Sequence, residues 1–218
     1  MTVEEHLSGI AEKLVHELEP ILKIKQVTRN SDLLGAYTEA ALRRLIGRVV
    51  CPMSVSRGAV IDYPMPASLR QIDAVIWAPF PAPAIFDVDD FALVPRSSAF
   101  GLLSIKRSNY SSRVDKDLEK FDKSAPRLAA APHQDVADVR HPAMGVVCVV
   151  EGPVSRRLQR LFDQDRAVAV FEKAQKTSTD AKVRHKDVLR LINFLHYITW
   201  RYRMHGIQPG YPQLVTGL

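Results

Sequence analysis

Apolar and polar positions along this chain follow two different periods, and the changes between them divide it into segments. Val3, Leu7, Ile10, Leu14, Leu18 and Ile21 recur at helical spacing with Glu4, Glu5, Glu12 and Lys13 between them. That pattern predicts an amphipathic opening helix over residues 2–26, which Pro20 should bend or end. "NSDLLGAYTEAALRRLIG" then starts on the capping residues Asn30, Ser31 and Asp32 and stops at Gly47, behind Arg43 and Arg44, cations that suit a helix C-terminus. It predicts a second helix, and this one carries Glu39.

From Cys51 the period falls to two. "MSVSRGAVIDY", "RQIDAVIWA" and "AFGLLSIK" predict three strands, the first two a hairpin. Between the second and third, "PFPAPAIFDVDDFALVP" is punctuated by proline, and its "DVDD" is read as a solvated turn without chemistry rather than as metal ligands. Helical spacing returns in "SRVDKDLEKFDK", followed by a buried strand "GVVCVVEG", a short helix "SRRLQRLF" and a strand "RAVAVFE". The last element is a long helix over 181–205, with Val188, Leu191, Leu195, Ile198 and Tyr202 on one stripe. Together these predict a mixed α/β sheet with helices on both sides.

Composition narrows the class. A chain of 218 residues, 46% hydrophobic and 25% charged, has the make-up of one globular domain. The core is expected over about 30–172, with the first and last helices as elaborations. Thirty Lys and Arg against 24 Asp and Glu leave a net charge of +6, which suits a phosphate-rich partner and equally suits a plain solvated surface. Cys51 and Cys148 stand far apart with no CxxC spacing, so both are read as core thiols rather than zinc ligands or a disulfide. The N-terminus is acidic and no run approaches the roughly 18 apolar residues of a membrane span. A cytoplasmic protein with no membrane association is expected. His133 and His141 are read as loop residues without a site role, and no GxSxG, Walker or GxGxxG motif occurs.

The candidate chemistry sits where charge interrupts apolar strands. Under strict alternation Gln71, Asp73, Val75 and Trp77 share one face of their strand, and Ser104 and Lys106 share one face of theirs. A carboxylate in an apolar strand must be paired, bind a cation or sit at a wet end. A divalent cation near phosphate needs oxygen ligands, and a lysine beside it can orient or deprotonate an attacking water. Asp73, Glu39 and Lys106 would supply such a set.

These stretches resemble the PD-(D/E)XK nuclease superfamily, and within it a prokaryotic domain of unknown function with a helix glutamate, an S-x-Q-x-D strand and an E-V-K strand. The matching residues are Gly35 and Glu39 in "GAYTEAALRRLI", then Gly58, then Ser68, Gln71 and Asp73 in "SLRQIDAVIW", and Lys106 in "GLLSIK". The resemblance covers roughly residues 30–123. It implies a restriction-endonuclease-like α-β-β-β-α-β core and metal-dependent hydrolysis of DNA phosphodiester bonds with magnesium or manganese, in bacterial defence or a mobile element. It further implies Asp73 as main metal ligand, Glu39 as a supporting one, Gln71 as a polar group of the site and Lys106 as the water-orienting lysine. Arg43, Arg57, Arg70, Arg107 and Arg113 cluster around the motifs and are expected to meet backbone phosphates.

One residue departs from the pattern. Ser104 stands where the superfamily has Glu or Asp, which leaves an atypical SxK motif. Either a glutamate from the following helix replaces the missing carboxylate, with Glu119 favoured because it flanks the stripe of Val114, Leu118 and Phe121, or catalysis is lost. In the second case the scaffold remains as a nucleic-acid-binding or protein-interaction module, as a homodimer or with another protein. Plainer roles stand beside each assignment: Glu39 as an i,i+4 partner of Arg43, Asp73 as a salt-bridge partner of Lys106, Glu119 as a solvated residue and Ser104 as a hydrogen-bond donor to a neighbour.

Overall fold

The computed structural model of the chain describes residues 27–61, 71–80, 82–106, 142–151, 167–173 and 185–206, with residues 5, 6, 9, 12, 13, 16, 17, 20 and 24. Helix α1 spans Ser31–Val50, followed by strands β1 (Ser54–Ile61), β2 (Ile72–Trp77), β3 (Phe86–Val88), β4 (Phe91–Pro95), β5 (Ala99–Lys106), β6 (Ala143–Glu151) and β7 (Ala167–Lys173), and by helix α2 (His185–Gly206). The seven strands form one mixed sheet in the order β3-β4-β1-β2-β5-β6-β7. β1, β2 and β5 pair antiparallel in succession, while β4 joins β1, β6 joins β5 and β7 joins β6, all in parallel. This is a restriction-endonuclease-like α/β arrangement with a long C-terminal helix. No described helix is long and apolar enough to cross a membrane.

Asn30 caps α1: its side-chain oxygen accepts from the backbone N–H groups of Asp32 at 3.0 Å and Leu33 at 3.2 Å, donors that no helical carbonyl can reach. The helix does not stop at Gly47 as expected but runs to Val50. Gly47 costs a helix only about 1 kcal/mol, and burial of Ile46 and Val50 outweighs that. Arg43 and Arg44 therefore sit mid-helix, and Arg48 occupies the last turn. Pro20, expected to bend or end the opening helix, is itself helical among the residues described there.

The main core lies between one sheet face and the two long helices. Leu42, Ile46 and Val50 of α1 and Leu191, Leu195 and Ile198 of α2 meet Ala74, Ile76, Leu103 and Ile105. Val60, Ile72, Val75, Trp77, Val94 and Leu102 form a second cluster. The segment expected to be a proline-broken loop holds two strands: β3 and β4 form a hairpin with Asp89–Asp90 at its tip, Asp89 at φ 55°. Asp tolerates that left-handed conformation better than most residues. "FALVP" shows the alternation that predicts a strand, but the prolines around it obscured the signal.

Gly58 makes the β1–β4 pairing possible. Its φ of 158° lies outside the range that side chains favour, and a Cβ there would overlap the Ala92 carbonyl.

Candidate active site

Three elements converge at the carboxylate of Asp73. In the β1–β2 pairing Ser56 faces Val75 and Gly58 faces Ile72, so Arg57 alone stands opposite both Asp73 and Ala74. This bulge breaks the alternation expected for β2. Ile72 packs with Val75 and Trp77, although strict alternation would set it on the other face. The Asp73 carboxylate meets the end of β5. Its Oδ2 accepts from the Ile105 backbone N–H at 2.7 Å and from the Ser104 hydroxyl at 3.2 Å, and the Lys106 ammonium stands 3.6 Å away. Ser104 and Lys106 thus reach the same oxygen, as a period of two requires.

Glu39 approaches from α1. Its pKa is raised above the ordinary 4.5, chiefly by burial and next by the negative charge of Asp73, against the opposing pull of Arg43 and Lys106. The helix and the strand ends therefore bring two carboxylates and a lysine into one electrostatic field. The two plainer pairings are both present as well: Arg43 Nη1 lies 3.6 Å from Glu39 Oε2, and Lys106 pairs with Asp73.

Arg43, expected to meet phosphates, is instead only 6% exposed and committed internally. Its Nη1 donates to the Asp73 carbonyl at 2.8 Å and its Nη2 to Asp90 Oδ2 at 2.8 Å. A guanidinium removed from water needs such partners. Asp90 also holds Arg57: Oδ1 lies 3.1 Å from Arg57 Nε, and the Asp90 carbonyl accepts from the Arg57 backbone N–H at 2.7 Å. Asp90 is therefore the residue that the sequence reading missed, since "DVDD" was assigned no chemistry. It ties the β3–β4 hairpin to the helix that carries Glu39 and, through Arg43, to the backbone of Asp73. The signal that would have found it is Arg43 itself, a cation one position after Leu42 on the apolar side of α1. Beside this network a hollow of about 310 Å³ is lined by Ala40, Arg44, Gly47 and Val55 together with Arg43 and Asp90.

Gln71 is exposed and immediately precedes β2, and no described contact joins it to Asp73. Arg57 is 46% exposed on β1. Arg70, Arg107, Arg113 and Glu119 lie outside the described residues, as do His133 and His141.

Whether a divalent cation fits can be judged from the donor set. Among the described residues no three metal-ligating side chains gather. The pair Asp73 and Glu39 nonetheless consists of hard oxygen donors that repel each other against the pull of Arg43 and Lys106, and a magnesium or manganese ion would favour the charged form of both. The fit is that of a partial site with two protein carboxylates.

No protein-family model and no curated protein sequence matches the chain. Solved structures do resemble it. The cAAA-bound form of NucC from P. aeruginosa ATCC27853 superposes with a TM-score of 0.58 at 14% identity, covering 94% of this chain and 99% of that one. The cAAA-bound form of NucC from E. coli MS115-1 gives 0.59 at 15% identity over 96% of this chain and 93% of that one, and its apo form 0.53 at 14% identity over 93% and 92%. At these identities the likeness is one of fold, and it extends over nearly the whole chain.

Proposed function

We propose that the chain is a metal-dependent nuclease-like protein that hydrolyses DNA phosphodiester bonds at the Asp73 site. One observation carries this reading: Ser104 and Lys106 meet one oxygen of Asp73, and Glu39 of α1 stands within the field of that carboxylate. A structural salt bridge alone does not need a second carboxylate whose charge is disfavoured where it stands. A helix carboxylate whose charge is disfavoured, set beside a second carboxylate and a lysine at strand ends, is the kind of arrangement a phosphoryl-transfer site uses.

In this reading Ile105 N–H and Ser104 Oγ hold the Asp73 carboxylate in one orientation, and Glu39 supplies the second anion. A divalent ion held between them would supply Lewis-acid stabilisation of charge on phosphate. Lys106 Nζ orients the attacking water and takes up or releases its proton. Glu119 is kept as the carboxylate that would stand in for the one Ser104 lacks. Arg57, Arg70, Arg107 and Arg113 are assigned to backbone phosphates, and Gln71 to a polar contact with substrate. The nuclease-like fold that the chain shares with NucC supports the reading, as does the match of motifs in order. A role in bacterial defence belongs to the same proposal.

The test has two stages. Calorimetric titration with Mn²⁺ should show binding that Asp73→Asn abolishes and Glu39→Gln weakens at least tenfold. Cleavage of plasmid DNA with Mg²⁺ or Mn²⁺, with and without cAAA because two of the similar structures hold it, should then be lost in Lys106→Met and Asp73→Asn and kept in His133→Ala.

A second reading rests on Ser104. Its hydroxyl donates to Asp73 where a carboxylate would have faced the cation, so the site as described holds one anion fewer on β5. On that reading the fold binds nucleic acid or a protein without cleaving. Salt-sensitive DNA binding with no Mn²⁺ uptake would favour it.

A further inference from the structure

Two exposed apolar patches take no part in the candidate site. One is the outer stripe of α2, where Tyr197, Trp200 and Met204 are 49%, 56% and 49% exposed. The Tyr197 and Trp200 rings stack with centroids 6.2 Å apart, and the Arg201 guanidinium lies 5.7 Å from the Tyr197 centroid. From Val188 to Gly206 there is no acidic residue, while Arg190, Arg201 and Arg203 all occur. The other patch is the β3 edge of the sheet. Ile85, Phe86 and Val88 are 67%, 47% and 50% exposed, with the exposed acids Asp87 and Asp89 among them. No Lys or Arg occurs from Pro79 to Val94.

Single exposed apolar residues are ordinary, but clusters of this kind mark contact surfaces, and Tyr, Trp, Met and Arg are the types enriched there. The two patches cannot satisfy each other within one chain. α2 packs against β7 and β5, whereas β3 is the opposite edge of the sheet. Six strand spacings of about 4.8 Å put β3 and β7 roughly 29 Å apart.

We propose that the acidic apolar β3 edge of one copy docks on the basic aromatic face of α2 in a second copy. Charge complementarity selects this occupant. Nucleic acid would answer the α2 face alone and be repelled by Asp87 and Asp89, leaving Ile85, Phe86 and Val88 in water. A two-fold contact of either patch with itself would set like charges together. A contact between different patches is head-to-tail, so copies close into a ring or continue as a filament. An edge strand covered in this way also loses its exposure to unwanted pairing. The inference stands apart from the nuclease reading and uses none of its residues.

Light scattering on the full chain with Val88→Asp and Trp200→Asp tests it, since both positions are exposed and circular dichroism can verify that the fold is kept. Wild type should form assemblies heavier than one 24.4 kDa chain, and each variant alone should be monomeric. An equimolar mixture of the two should recover a two-chain species, because one variant keeps a whole α2 face and the other a whole β3 edge. Assembly that survives in either variant alone would mean a two-fold contact through the remaining patch and would overturn the proposal. So would a monomeric wild type or a mixture that stays monomeric. A monomeric wild type that binds single-stranded oligonucleotide, with binding lost in Trp200→Asp, would assign the α2 face to nucleic acid instead.

Discussion

Replacing Arg43 by lysine keeps the charge and removes the fork, so it separates the two things that this residue does. The guanidinium spans the Asp73 carbonyl and Asp90 Oδ2, each at 2.8 Å. An ammonium group on a shorter stem can hold one of them. If Asp90 is released, water reaches it, since it is 48% exposed and keeps Arg57. If the Asp73 carbonyl is released, a part-buried acceptor is left bare. A hydrogen bond to a charged group contributes about 1.5–3 kcal/mol, the lower end where water compensates. Arg43→Lys should therefore cost about 1.5–3 kcal/mol, more than the ~1 kcal/mol ceiling of most exposed ion pairs. Urea unfolding followed by tryptophan fluorescence reads this directly, with buried Trp77 as reporter. Arg43→Lys, Asp90→Asn and the double variant form a cycle whose coupling should reach about 1 kcal/mol. A single variant within about 0.5 kcal/mol of wild type, together with an additive cycle, would refute the view that Arg43 is an internal clamp.

Gly58→Ala should prevent folding or cost more than about 3 kcal/mol, because the new Cβ meets the Ala92 backbone in a conformation that disfavours side chains. Gly101→Ala presses only on the Cδ1 atoms of Ile198 and Ile76 and should cost about 1–3 kcal/mol, the range for overpacking; equal thermal shifts for the two would contradict this. Because the pKa of Glu39 is raised in the fold, the protonated form is favoured there, so its ionisation opposes stability above the raised value and has no such effect below the ordinary 4.5. Glu39→Gln should thus raise the urea midpoint at pH 7 to 8 and lose that advantage near pH 4; a gain confined to low pH would reverse the assignment. Ser104→Ala removes one neutral-to-charged hydrogen bond from Asp73 and should cost about 1.5–3 kcal/mol, while the Ile105 N–H still anchors the carboxylate. Unfolding curves that coincide with wild type would show that the hydroxyl contributes nothing.

The strands at Ser54–Ile61, Ile72–Trp77 and Ala99–Lys106 were legible because each is an apolar run bounded by turn residues, as were β6, β7 and the last helix. The β3–β4 hairpin was not, since three residues of β3 and five of β4, the last of them Pro95, carry too little pattern to stand against the loop signal of Pro79, Pro81 and Pro83. Within the candidate site, the conspicuous charges Asp73 and Lys106 could be found from their apolar surroundings, and the pairing of Glu39 with Arg43 follows from i,i+4 spacing. The break in alternation that sets Ile72 with Val75 and Trp77 could not, because it depends on a bulge set by what lies opposite on β1. Arg43 was misplaced for a related reason. A charged residue between apolar ones reads as surface unless a carboxylate from elsewhere is known to meet it.

What the chain determined by itself are the local quantities: where apolar periodicity changes, where helices are capped, and which charges interrupt strands. Those follow from backbone sterics and from the need to bury one face of each element. Tertiary structure decided which of those charges meet. The partnership of Arg43 with Asp90 spans 47 positions and that of Asp73 with Ser104 spans 31. Contacts of that range depend on strand order and register, and register is fixed by the packing of both sheet faces at once rather than by any single segment.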